Sequence, residues 1–364
     1  MALSAIRLSP SAALLLLAGV AGAGDLTPPA GPIIPTMKTL QEVEPRIALS
    51  QTTTPGDNDS SPSIFKITQP GTYYLTESLV VPAGVIAVEI DSSYVTLDLN
   101  GFTIFGGSVG VGVFGTRLSV TVENGVIHSS GGALEMGPAS SSTVRSLVVR
   151  SNSVGVRLGA GGNIENCQID NNIIGVRFLG GAQIVRDTIV AANISVNIDA
   201  DNSGYQDFRF SNIQSIGNAV SLPTAKGVVV TDSHFESSGG TLLSVGDNAQ
   251  ISGSRFQNGG TGLRAGWNVQ LVGNAIFDCD TGLQVVGSGG LIENNYLVSN
   301  ATGINITGVD NLVIRNRVRL GNVRFNIVNG NRVASIAAAG IAGTINGSAG
   351  GGQSSTDPLA NLAY

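Results

Sequence analysis

Lysine is nearly absent from this chain: Lys38, Lys66 and Lys226 are all there is. With acids in excess and a net charge of −6, nucleic acid is excluded as the main partner, because holding a phosphate backbone takes a basic face or stripe. Cysteine is limited to Cys167 and Cys279, histidine to His128 and His234, and tryptophan to Trp267. At most one disulfide is available, and a stapled scaffold is ruled out. Long apolar runs are missing as well. Residues 12–20 form an apolar run too short to span a bilayer, and nothing later approaches the roughly 20 apolar residues of a transmembrane helix.

That early run lies between Arg7 and Ala21-Gly22-Ala23, which is the layout of a secretory signal peptide over residues 1–23. Cleavage turns 19 basic side chains into 18 against 25 acidic ones, a net charge of −7. The expected product is secreted, periplasmic or extracellular, and monomeric. Charged residues make up only 12% of the chain while glycine numbers 50, a balance that suits tightly wound β structure with many bends and little helix.

One sentence of sequence is written three times over residues 262–321: GLRAGWNVQLVGNAIFDCDT, GLQVVGSGGLIENNYLVSNAT and GINITGVDNLVIRNRVRLG. Asn274, Asn295 and Asn316 recur in it every 21 residues or so. A repeat of that length means stacked coils, because each unit leaves apolar faces that only its neighbours cover. The opening strand of each coil reads apolar-x-apolar, with inward pairs Val88/Ile90, Val111/Val113, Leu134/Met136, Val156/Leu158, Val176/Phe178 and Val196/Ile198. The series continues through Val220/Leu222, Leu243/Val245, Leu263/Ala265, Leu283/Val285 and Ile304/Ile306. Alternation turns the residue between each pair outward.

A second apolar pair follows at a spacing of five, as in Ile164 and Ile169 or Leu271 and Ile276. A flat strand would send those two to opposite faces, so a corner must intervene. Asn166, Asp232, Gly253, Gly273 and Asn294 sit at the corner and tolerate positive φ, whereas Arg186, Phe210 and Arg315 break that pattern. The next residue should point inward: Cys167, Asp187, Ser211, Ser233, Ser254, Asn274, Asn295 and Asn316. The three asparagines are expected to form a ladder that satisfies the backbone of the bends.

The predicted fold is therefore all-β: a single-stranded right-handed parallel β-helix of about a dozen rungs, on the order of 55 Å long. Its expected organisation is signal peptide over 1–23, Pro-rich leader over 24–36, and N-terminal cap with first strands over 37–86. The parallel β-helix repeats fill 87–335, and a flexible Gly/Ala/Ser-rich tail fills 336–364. Cys167 and Cys279 lie about five rungs apart, or roughly 24 Å, beyond the reach of a disulfide. Two free thiols are expected.

Several motifs carry a family resemblance: Met37-Lys38-Thr39-Leu40, Glu44-Pro45-Arg46, Pro70-Gly71-Thr72-Tyr73-Tyr74-Leu75, Val95-Thr96-Leu97-Asp98-Leu99-Asn100-Gly101-Phe102 and Asp357-Pro358-Leu359-Ala360-Asn361. In these the chain resembles secreted bacterial right-handed parallel β-helix repeat proteins of the pectin-lyase-like superfamily. The resemblance implies the fold; the superfamily mixes lyases, hydrolases, epimerases and binding proteins, so it does not imply one activity. The Asn-Thr-Asp, Asp-Asp, Gly-His-Gly and Arg-Ile-Lys segments of polygalacturonase-like hydrolases are missing, as is the Asp-Pro-His-Asp of alginate epimerase-like proteins.

Two constellations remain. Outward residues of successive opening strands read Glu135, Arg157, Arg177 and Asn197. Like charges side by side cost stability, and guanidinium suits carboxylate or sulfate, so this row is a candidate site for an acidic glycan. Neutralisation by Glu135 and solvent accounts for the same residues. The second constellation, Asp199, Asp201, Ser203 and Asp207, has the spacing of a calcium loop, with Phe210 where such a loop has a bidentate Glu. An acidic, solvated turn is the alternative. Asp187, turned inward, is a lesser candidate as a buried acid. The expected function is binding of extracellular polysaccharide along the first-strand face. A polysaccharide lyase or glycoside hydrolase, with calcium as a possible cofactor, and a structural rod of the envelope or matrix are the other two readings.

Overall fold

A computed structural model describes residues 45–200, 208–237, 239–338, 344–347, 351–352 and 358–364. The expected signal peptide and Pro-rich leader, and residues 201–207 of the expected calcium loop, lie outside the described residues. Among the described residues there is no helix, and hence none long and apolar enough to cross a membrane.

Fourteen opening strands stack in one sheet, from Ser63–Ile67 to Thr344–Gly347. The second and third strands of each coil form the other sheet. Pairing is parallel and in register coil after coil, as where Leu263 meets Leu283 and Leu283 meets Ile304. The chain is thus a parallel β-solenoid of about thirteen turns, read off the fourteen stacked opening strands.

One continuous apolar cluster fills the inside of the coil, from Leu49 to Ala363. The inward pairs expected from the sequence are buried, with one exception. In Val196–Ala200 the inward residues are Ile198 and Ala200, not Val196 and Ile198. The register leaves no choice, because Ile198 lies beside Val176 and Val220. Phenylalanines of successive coils stack, with the Phe235 and Phe256 rings 4.9 Å apart and nearly parallel.

The corner occurs where the spacing of five requires it. Asn166, Asp232, Gly253, Gly273 and Asn294 all take positive φ, and Arg315 joins them at 58°. Two expected corners shift. Val185/Val190 and Phe210/Ser215 are the buried pairs there, and the bend falls two residues after the first member, at Asp187 (φ 50°) and Asn212 (φ 49°). Thr188 and Ile213 therefore turn inward instead of Asp187 and Ser211, and Asp187 is exposed.

Behind the corners run ladders of buried amides. Asn295 Oδ1 accepts from the backbone N–H of Asn274 at 3.0 Å and from its Nδ2 at 3.1 Å. Its own Nδ2 donates to the Leu271 carbonyl at 2.8 Å and to Asn316 Oδ1 at 2.9 Å. Asn316 passes the pattern to Asn361, whose strand Asn361–Ala363 pairs with Arg317–Arg319. A second ladder, at the next corner, links Asn152, Asn172, Asn193 and Asn197. Each amide satisfies backbone groups that the bends leave open, which is why these polar side chains survive in an apolar interior.

The two thiols sit on different corners. Cys167 N–H donates to Thr188 Oγ1 and Cys279 N–H to Asn300 Oδ1. Both are free and buried, and burial pushes the Cys167 thiol up to about 11.

Two outcomes follow from these contacts. Asn295→Ala strands several buried groups at about 1–3 kcal/mol each and should lower the urea midpoint sharply, while Asn294→Gly, at a positive φ that glycine accepts, should leave it nearly unchanged. Intact mass after alkylation without reductant should gain two adducts in denaturant and almost none in the native protein at pH 8; a single disulfide-linked species would contradict the register.

Candidate functional site

The parallel register writes the outward face of the opening strands as one continuous row. Starting from Lys66 it runs Glu89, Gly112, Glu135, Arg157, Arg177, Asp199 and Ser221. Three of the four residues expected in the glycan row are therefore in place. The fourth is Asp199, not Asn197. Asn197 occupies the position that glycine holds in the repeats, points inward, and is fully buried with its amide bonded to Asn193 and to Ser215 Oγ.

This substitution changes the electrostatics of the row. Arg157 Nη1 lies 3.1 Å from Glu135 Oε2, and Arg177 Nη2 lies 3.3 Å from Asp199 Oδ2. The two guanidinium groups are neighbours in register, and each is drawn toward the carboxylate on its far side. All four side chains keep about a quarter to a third of their surface in solvent. In addition, Arg157 Nε is buried and has no hydrogen-bond partner. Two like charges side by side in register are the local imbalance that an anion would correct.

Beside the row opens a cavity of about 530 Å³ lined by Val109, Val113, Phe114, Pro138 and Leu179, with Glu135 and Arg157 at its polar edge. Two glycines keep it open. A Cβ on Gly112 would come within 2.9 Å of the Phe114 ring, and one on Gly137 within 2.6 Å of Leu179 Cδ1. Burial against this apolar wall raises the Glu135 carboxyl above its ordinary value, with Arg157 and then Arg177 opposing.

The spacing of the acids bears on catalysis. Glu135 and Asp199 are three strand steps apart, about 14 Å at ~4.8 Å per step, whereas glycosidase carboxyl pairs sit roughly 5–9.5 Å apart. Glu89 is two steps from Glu135, but it is buried and tied to Lys66 Nζ at 2.6 Å. Nor is arginine a ready base, since it stays protonated in proteins.

The other candidates are dispersed. Asp201, Ser203 and Asp207 are outside the described residues, and among the described residues no three His, Cys, Asp or Glu side chains converge on a metal position. Asp187 accepts from Asn212 Nδ2 at 2.8 Å and borders a shallow hollow of about 360 Å³ behind the corner. His128 stacks on Phe105 at 5.4 Å, and His234 lies 3.8 Å from Glu236. Trp267 is 56% exposed on a bend. Reading the strand from Val196 places Asp199 only in the calcium-loop spacing and not in this row; the signal for its place in the row is that Asn197 takes the glycine slot.

Residues 195–349 match the family model described as the right handed beta helix region. A search of curated proteins gave no match. Among solved structures the chain is similar to ORF18 of Geobacillus virus E2, at 11% identity and a TM-score of 0.48, covering 73% of this chain and 60% of that one. It is also similar to the Dettilon tailspike protein, at 13% identity, TM-score 0.41 and coverage of 80% and 69%. A third is DFA-IIIase from Arthrobacter chlorophenolicus A6, at 13% identity, TM-score 0.38 and coverage of 68% and 71%. The chain thus spans less than two thirds of the length of the viral ORF18 protein, and at these identities the likeness is one of fold.

Because Arg177 holds the Asp199 carboxylate, titration with calcium at millimolar concentration should release no heat. Heat that disappears in Asp199→Asn would instead mean that this carboxylate leaves Arg177 for a metal.

Proposed function

We propose that this right-handed parallel β-helix is exported and binds an acidic extracellular polysaccharide along its first-strand face. The observation that carries the reading is the Glu135–Arg157–Arg177–Asp199 row beside an apolar cavity. Two arginines stand next to each other with no acid between them. A sugar carboxylate or sulfate seated between the guanidinium groups relieves their repulsion, and the Phe114 side of the cavity offers the apolar surface that sugar-ring faces pack against.

Glu135 and Asp199 compete with such a ligand for the same arginines. Protonation of Glu135, whose carboxyl titrates above the usual range, removes its hold on Arg157. The sign is therefore definite: affinity for an acidic glycan rises as pH falls through the Glu135 pKa, until the glycan itself protonates. The raised pKa also favours one second reading, in which Glu135 is a proton donor in a lyase or hydrolase.

Incubation of the processed protein with acidic and neutral polysaccharides, with and without calcium, separates these readings. Retention on immobilised acidic glycan with no unsaturated uronate absorbance and no new reducing ends is expected. Arg157→Gln with Arg177→Gln should weaken retention about tenfold or more; unchanged retention would sink the binding site. Glu135→Gln should tighten binding at pH 7 and flatten its dependence on pH. New chain ends that vanish in Glu135→Gln would make the protein an enzyme.

A further inference from the structure

The third strands of the last coils present a different surface, one whose arginines lack acids. One outward row runs Arg255, Ala275, Tyr296 and Arg317; a parallel row one side chain further along the strands runs Gln257, Phe277, Val298 and Arg319. Several arginines elsewhere on the solenoid meet carboxylates, as in Arg145 with Glu123, Arg186 with Glu165 and Arg315 with Glu293. Here the partners are neutral: Arg255 Nε donates to Gln257 Oε1 at 2.8 Å, and the rest are aromatic. The Arg255 guanidinium lies 4.5 Å above the Phe277 ring, and that of Arg319 lies 6.0 Å from the ring of Tyr364. Phe277 in turn meets Tyr296 edge to face at 6.1 Å.

Arg317 and Arg319 are exposed, and neither has an ion-pair partner among the described residues. The acids nearest in register stay at the margin: Glu236 is one coil before Gln257 and accepts from Asn258 Nδ2, and Asp278 takes the corner after Phe277 at positive φ.

We propose that this face is a second polyanion site, built for a sugar chain that carries carboxylate or sulfate groups. It is independent of the first-strand row, lying on the other sheet of the solenoid. Arg317 and Arg319 extend from alternate positions of one strand and supply two forked donors on the same side. Arg255 stands three strand steps away, about 14 Å, with the Tyr296 ring and the small Ala275 between them. Charged groups of the ligand therefore meet arginine at the two ends while an uncharged ring face lies on Tyr296 in the middle, with Phe277 backing Tyr296 and Arg255. A nucleic acid fits less well: a duplex carries one charge per roughly 1.7 Å, and three arginines on a protein with excess acid leave most of those charges unopposed.

The test uses the processed full chain in native gels cast with polygalacturonate, with dextran as the neutral control and oligothymidylate in solution as competitor. Arg317→Gln with Arg319→Gln should raise the apparent Kd for polygalacturonate about tenfold, and should do so equally in the Arg157→Gln, Arg177→Gln background. Tyr296→Ala, which leaves charge untouched, should also weaken retardation and serves where the double variant fails to fold. Retardation unchanged in both variants would overturn the proposal. So would loss confined to the Arg157 and Arg177 variant, which would leave the first-strand site standing alone. Displacement by oligothymidylate at lower concentration than by free polygalacturonate would overturn the assigned ligand class.

Discussion

Everything in this protein depends on the parallel register between coils. Once one strand is hydrogen-bonded to the next without a slip, each side chain acquires a fixed neighbour about 4.8 Å above and below it. Chemistry then accumulates in columns. Inside, equal residues stack into apolar and amide columns; outside, the same rule decides whether two charges meet as partners or as rivals. Arg157 beside Arg177 and Arg317 beside Tyr296 are consequences of coil length as much as of residue type, because inserting or deleting one residue would give each a different neighbour.

The amide columns show how the constraint is met. A tight bend leaves backbone groups unpaired, and an interior of leucine and phenylalanine offers them nothing. Asparagine supplies an acceptor and two donors on one short stem, so a single side chain can serve its own bend, the coil before and the coil after. Asn316 does all three, donating to the carbonyls of Ile314 in its own bend and Ile292 in the coil before, and to Asn361 Oδ1 in the strand that follows. The chain's preference for Asn, Ser and Thr over charged residues has a structural reason here: these are the polar groups that can be buried without carrying a charge.

Legibility in the sequence follows how faithfully a coil keeps the repeat. Residues 262–321 keep the spacing of the repeat while varying its residues, and there the inward pairs, the corners and the Asn274–Asn295–Asn316 column are all legible in the spacing alone. Where the repeat is diluted, spacing misleads locally. Asn197 fills a glycine slot with a side chain that bends inward to Asn193, so counting apolar residues from Val196 places the outward position two residues early and misses Asp199. At Asp187 and Asn212 the small corner residue follows an arginine or a serine, and only the five-residue spacing from Val185 and Phe210 locates it. The ion pairs of the first-strand row are half legible, because Glu135 and both arginines follow from alternation while the acid that closes the row does not. The aromatic and arginine face has no linear signature, since Arg255, Phe277 and Tyr296 belong to three coils and become a group only through stacking.

The column that begins among the small residues of the middle coils ends on Asn361, the last of its amides in chain order. Each earlier coil can lay itself down as soon as its own residues are available, since its supporting amide arrives about 21 residues later. The final one waits for a strand 45 residues further on. A ribosome that releases this chain from its N-terminus therefore delivers a stack whose growing edge keeps an unserved amide until the strand Asn361–Ala363 has emerged. Pairing of that strand is the event that closes the column.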